Sequence, residues 1–185
     1  TLGRKDPETL AAIAALADTL RSQGRDNEVE PLERRRLEAL QGLRPPAHPE
    51  TLEAMQSLAM TLRALGKEDE VEVLERRRLD VSEEKLGPRH PFTLLALGAL
   101  AVCLRTLGRA DEAEPLDRRR LETSEEVLGP RHPDTLDALE GLAGTLRALG
   151  KEEEADHLER NQRWRRVRKR GRDTLINVAM HPRAD

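Results

Sequence analysis

Three histidines and one thiol are the side chains of this chain best equipped for metal or covalent chemistry. His48, His90 and His132 stand 42 residues apart, each directly before a proline, whereas a metal site needs ligands that converge within a few ångströms. Residues one such interval apart lie on neighbouring ridges of a repeating structure, so these histidines are expected at helix starts or in loops. Cys103 takes the place that Thr19, Thr61 and Thr145 hold at the same interval, which points to a small packing site rather than a reactive thiol. Adjacent acids such as Glu83-Glu84 and Glu125-Glu126 diverge on a helix. The sequence contains no Gly-rich phosphate loop, nucleophile elbow or paired-carboxylate constellation, so neither catalysis nor a cofactor is expected.

Arginine offers a different chemistry, the recognition of carboxylates. Arg21, Arg63, Arg105 and Arg147 recur at the same 42-residue interval, and Met60, Leu95 and Val102 bring apolar side chains to the same helix faces as Gln56. That combination binds; it does not catalyse.

These positions are set by a repeat. Pro7-Glu8-Thr9-Leu10 returns as Pro49-Glu50-Thr51-Leu52, Pro91-Phe92-Thr93-Leu94 and Pro133-Asp134-Thr135-Leu136. Leu16-Ala17, Leu20-Arg21 and Gly24 keep the same phase in all four copies, and Leu32-Glu33-Arg34-Arg35-Arg36-Leu37 returns at 74–79 and, with Asp117, at 116–121. A period in this range implies units that cannot bury their apolar faces alone and must stack. With 36% charged residues, one Phe, one Trp and no Tyr, the composition is that of an all-α protein.

One unit, residues 49–90, shows how the elements form. Pro49 suits a first helical turn and Glu50 complements the helix dipole. Leu52, Met55, Leu58, Ala59, Leu62 and Leu65 then fall on one face, with Gly66 as a left-handed stop. A second amphipathic run carries Val71, Leu74, Leu79 and Leu86 and ends at Gly87-Pro88. Glu30 and Arg34, Glu72 and Arg76, and Glu114 and Arg118 are i,i+4 pairs that support this second helix. Arg36, Arg78 and Arg120 border the apolar stripe, so they must pair with Glu33, Glu75 and Asp117 or extend to water.

Leu128-Gly129-Pro130-Arg131-His132-Pro133-Asp134-Thr135-Leu136, followed by a Leu-Ala helix and by the Ala113-Glu114-Pro115-Leu116 type of second helix, resembles the 42-residue tetratricopeptide repeats of kinesin light chain. The resemblance covers about residues 1–160. It implies an α-solenoid of stacked antiparallel helix pairs in a right-handed superhelix, with the first helix of each unit lining a concave groove that takes a peptide or a helix. In that groove Arg21, Gln56, Met60, Arg63, Leu95, Val102, Arg105 and Arg147 would meet a protein or peptide partner with an apolar anchor and acidic flanks. Relatives that grip peptide backbones carry Asn just before Leu-Ala, where this chain has Ala14-Ala15, Gln56-Ser57, Gly98-Ala99 and Glu140-Gly141, so a carboxylate clamp for chaperone tails is not expected. Leu20, Leu62, Leu104 and Leu146 stand where the family has aromatics, which implies thinner packing.

The expected divisions are the end of a preceding repeat at 1–6, repeats at 7–48, 49–90, 91–132 and 133–172, and a partial fifth repeat or capping helix with a tail at 173–185. Leu2-Gly3 lies two periods before Leu86-Gly87, so the sequence reads as part of a longer array. One Cys and no apolar span favour a cytoplasmic protein without disulfides. Residues 160–185 carry a net +7 in a chain of net −3. Trp164 and Val167 share a helix face there, so the basic run is expected to continue the last helix. The alternative is a surface at residues 160–172 for nucleic acid or another acidic partner.

Overall fold

The computed structural model describes residues 6–160. The expected fifth-repeat helix, the packing of Trp164 and Val167, the basic run beyond Arg160 and residues 1–5 lie outside them. The described chain forms two compact units, one through Arg109 and one from Ala110. The first holds α1 (Pro7–Ser22), α2 (Asp26–Gln41), α3 (Pro49–Ala64), α4 (Glu68–Leu86) and α5 (Pro91–Thr106). The second holds α6 (Ala110–Val127), α7 (Pro133–Ala148) and a helix at 152–160, here α8. All elements among the described residues are helices, and within each unit sequential helices pack on one another in antiparallel pairs. This is the all-α solenoid architecture that the repeat implies.

Each first helix starts and stops by the same local chemistry. A proline fills the first turn of α1, α3, α5 and α7, where its missing N–H is not needed. The residue before it caps the helix. Asp6 accepts from the Glu8 N–H at 2.9 Å, and His48, His90 and His132 do the same through Nδ1, from the N–H groups of Glu50, Phe92 and Asp134 at 3.3, 3.2 and 3.2 Å. The histidines are therefore helix starts. Because an N-cap is worth about 1 kcal/mol, His132→Ala is expected to lower stability by about that amount in urea denaturation. His132→Asp should restore it, since Asp6 already does this work in the first helix.

At the other end Gly66 adopts φ +71°, the left-handed region that a Cβ disfavours. Its N–H donates to the Arg63 carbonyl and the Lys67 N–H to the Leu62 carbonyl, which closes the last turn. Gly24, Gly108 and Gly150 close their helices in the same way.

The apolar faces meet in the core. In the first unit Leu52, Met55, Leu58, Leu62 and Val71 are fully buried, and Cys103 of α5 joins them. In the second, Leu121, Leu139, Leu142, Leu146 and Ala155 form the equivalent cluster.

Ion pairs tie successive pairs of helices. Glu30 accepts from Arg34 on its own helix at 3.0 Å and from Lys67 at 2.8 Å; Glu72 accepts from Arg76 at 2.8 Å and from Arg109 at 2.7 Å; Glu114 accepts from Arg118 at 2.7 Å and from Lys151 at 2.7 Å. The Lys67 and Lys151 bonds hold the Glu30 and Glu114 carboxyls below the ordinary value of 4.5, and the Arg76 bond does the same at Glu72. A lowered carboxylate contributes stability that is present above its ordinary value and lost as pH falls through the lowered one. The melting temperature is therefore expected to drop as pH goes from about 5 to about 3. Replacing Glu30, Glu72 and Glu114 together by Gln should flatten that drop, while an unchanged slope would remove these pairs from the account.

Candidate functional site

Gln56, Met60 and Arg63 lie on α3, and Leu95, Val102 and Arg105 on α5, all within the first unit. The spacing of four and three residues along α3, and of seven and three along α5, keeps each set near one helix face. The apolar members stand in solvent: Met60 is 49% exposed, Leu95 44% and Val102 38%. Their neighbours Leu58, Leu62, Leu94, Leu97 and Leu104 are buried. Cys103 of α5 is buried in the core cluster with α3 residues, and its Sγ lies 3.6 Å from the Glu68 carbonyl of α4. Burial first, and then the Glu68 carboxylate, push that thiol up to about 11, while the Arg63 charge pulls it back. Cys103 is thus a protonated core thiol at neutral pH.

Beneath this face runs a buried polar network. Arg78 of α4 donates through Nε to Glu75 Oε2 at 2.7 Å and through Nη1 to Gln56 Oε1 at 3.1 Å. Burial raises the Glu75 carboxyl above its ordinary value, against the opposing pull of Arg78 and of Arg63. The fork geometry of Arg78 lets one cation satisfy an acid on its own helix and fix the Gln56 side chain on α3. Arg63 is half-buried, and its Nε and Nη2 are enclosed without a hydrogen-bond partner. Arg105 is also half-buried.

Two rungs of the arginine ladder, Arg21 and Arg147, pair with acids of their own and the following helix. Arg21 donates to Asp18 at 2.7 Å, to Glu33 at 3.2 Å and to Thr61 Oγ1 at 3.3 Å. Arg147, in the second unit, donates to Glu159 of α8 at 2.9 Å and lies 3.5 Å from Asp156. Glu33 and Glu159 follow their arginines by the same twelve residues, so the repeat supplies the acid along with the base. The structure brings Gln56, Met60, Arg63, Leu95, Val102 and Arg105 into one unit, while Arg21 and Arg147 serve the packing of their own helix pairs.

In the second unit Arg120 donates to Asp137 of α7, and Thr145 Oγ1 donates to the buried Asp117. A Cβ on Gly141 would meet Asp117 Oδ1 at 3.3 Å, so this position keeps α7 close to that carboxylate. The sequence signals the acid and base of this network through the Leu-Asp-Arg-Arg-Arg-Leu segment, but it does not signal the partner on α7.

Models of the tetratricopeptide repeat match residues 51–92 and 92–160. Comparison with curated proteins gives no match. Among solved structures, the nearly identical TPR-like repeats of a Podosopora anserina protein assigned as a kinesin light chain superpose in two forms. One has a TM-score of 0.82 at 24% identity and covers 92% of this chain and 80% of that one. The other has 0.81 at 24%, covering 91% and 80%. BtubC (BKLC) from P. vanneervenii superposes with a TM-score of 0.61 at 17% identity, over 97% of this chain and 85% of that chain. No helix among the described residues is long and apolar enough to cross a membrane. The chain belongs to the tetratricopeptide repeat family, protein-interaction scaffolds.

Proposed function

We propose that the face formed by α3 and α5 binds an extended peptide or a helix of a partner protein. In this reading an apolar side chain of the partner covers Met60, Leu95 and Val102, and acidic residues on either side pair with Arg63 and Arg105. The observation that carries it is the exposure of these three large apolar side chains beside half-buried arginines. Apolar groups in solvent gain by being covered, and the neighbouring guanidinium groups select carboxylates for the flanks. Scaffold function of the whole chain follows from the family; the groove and the chemistry of its partner are this proposal.

A peptide-display selection against the full chain tests it. Enriched sequences are expected to share an apolar residue flanked by Asp or Glu, and their affinity should fall at least about tenfold in Val102→Asp and in Arg105→Glu. Unchanged affinity in both variants would remove the α3–α5 face as the site. The competing reading, recognition of nucleic acid or another acidic surface through residues 160–172, makes a different prediction. There, binding would survive both substitutions and weaken steeply with salt.

A further inference from the structure

We infer that the first unit holds a second binding site, a pocket beside Arg36 that takes a carboxylate on an apolar stem. It arises from a shortened helix. In repeat register α4 runs to Leu86 and α6 to Val127, the equivalents of positions 44 and 43, whereas α2 stops at Gln41 and is followed by Gly42. Leu43 and Arg44 therefore leave the helix, and Pro45 and Pro46 prevent its resumption. Where the longer helices have a last turn, α2 leaves a pocket of about 190 Å³ walled by Leu10, Leu40 and Leu43.

The charge in this pocket is unbalanced. Its counterparts in the second and third repeats are hydrogen-bonded: Arg78 to Glu75 and Gln56, and Arg120 to Asp137. In repeat register Gln56 corresponds to Ala14, so the side chain that satisfies Arg78 has no equivalent at Arg36. Among the described residues the carboxylate ion-paired with Arg36 is Glu33, at 3.8 Å. That distance gives attraction without a hydrogen bond. Glu33 already accepts from Arg21 at 3.2 Å, so two guanidinium groups share one carboxylate. At the rim, Arg44 is offset by Glu50 at 3.5 Å. A half-buried, under-bonded guanidinium at the edge of an apolar pocket favours an anion that brings its own hydrocarbon, and the volume suits one aliphatic residue. The carboxylate can be a peptide C-terminus or an acidic side chain. The site is built from α1, α2 and the start of α3, and it does not depend on the α3–α5 face.

The test is an NMR titration of the full chain with three probes. N-acetyl-leucine carries a main-chain carboxylate, N-acetyl-glutamic acid α-amide a side-chain carboxylate, and N-acetyl-leucinamide none. Saturable shifts of the Ala11, Leu40 and Leu43 amides are expected with at least one acid, at least about tenfold weaker with the amide. Whichever acid binds identifies the source. Arg36→Gln should abolish the shifts, and Leu43→Glu, which places a competing carboxylate at the rim, should do so without touching Arg36. Val102→Asp should leave them intact, so this result stands or falls apart from the α3–α5 proposal. Equal binding of acid and amide, binding retained in both pocket variants, or no saturable shift at these amides would overturn the inference.

Discussion

Arg78→Ala is expected to lower the unfolding free energy by about 3–5 kcal/mol, the usual consequence of removing one partner from a buried ion pair. Arg78 is 1% exposed and Glu75 2%, so neither can turn to water when the other is lost. The substitution deletes the bonds to Glu75 Oε2 and Gln56 Oε1 together and leaves a buried carboxylate whose protonation burial already favours. A carboxyl raised in the folded state contributes stability that is present below its unfolded value and lost as pH rises through the folded one. The deficit of Arg78→Ala relative to the parent chain should therefore be larger at neutral pH than near pH 4. Replacing both groups by apolar residues, Glu75→Leu with Arg78→Met, should recover most of the loss, because no charge then remains buried. Urea denaturation of the single and double variants at two pH values checks both statements.

Leu62→Ala is expected to cost about 2–5 kcal/mol, the transfer of a buried side chain plus the cavity it leaves. Leu62 is 1% exposed in the core cluster with Leu58 and Val71. It stands where the family has an aromatic residue, so less surrounding bulk is present to fill the gap. Met60, two positions earlier on the same helix, faces outward. Met60→Ala is therefore expected to change stability by no more than about 0.5 kcal/mol, while weakening the α3–α5 face toward a peptide. The opposite pattern, with Met60 costly and Leu62 tolerant, would mean that the face assignment of α3 is inverted.

The features legible in the sequence are those fixed by local chemistry. The prolines that start α1, α3, α5 and α7, the glycines that end them, and the apolar stripe of α3 need only the conformational preferences of residues a few positions apart. The i,i+4 pairs of the second helices were readable for the same reason, and each appears as an ion pair. What was not readable depends on stacking. Lys67 reaches Glu30 across thirty-seven residues; nothing near either residue specifies that contact. The ladder at Arg21, Arg63, Arg105 and Arg147 was visible as a period, but the packing of the following helix engages Arg21 and Arg147 with acids. Arg78 could be flagged as needing a partner, whereas Gln56 as that partner follows from how α3 and α4 meet. The early end of α2 at Gln41, before Gly42, Pro45 and Pro46, was not singled out from the repeat pattern, and the pocket it opens appears only once α1 and α3 are placed beside it.

The central claim, that an exposed apolar face flanked by arginines takes a peptide, is most directly tested by methyl NMR of the full chain with a peptide selected on it. The account predicts saturable shifts centred on the methyl groups of Met60, Leu95 and Val102, with Val73 of α4, itself exposed, left unmoved. Shifts centred on α4 or on α8, with Met60, Leu95 and Val102 unchanged at saturation, would contradict it.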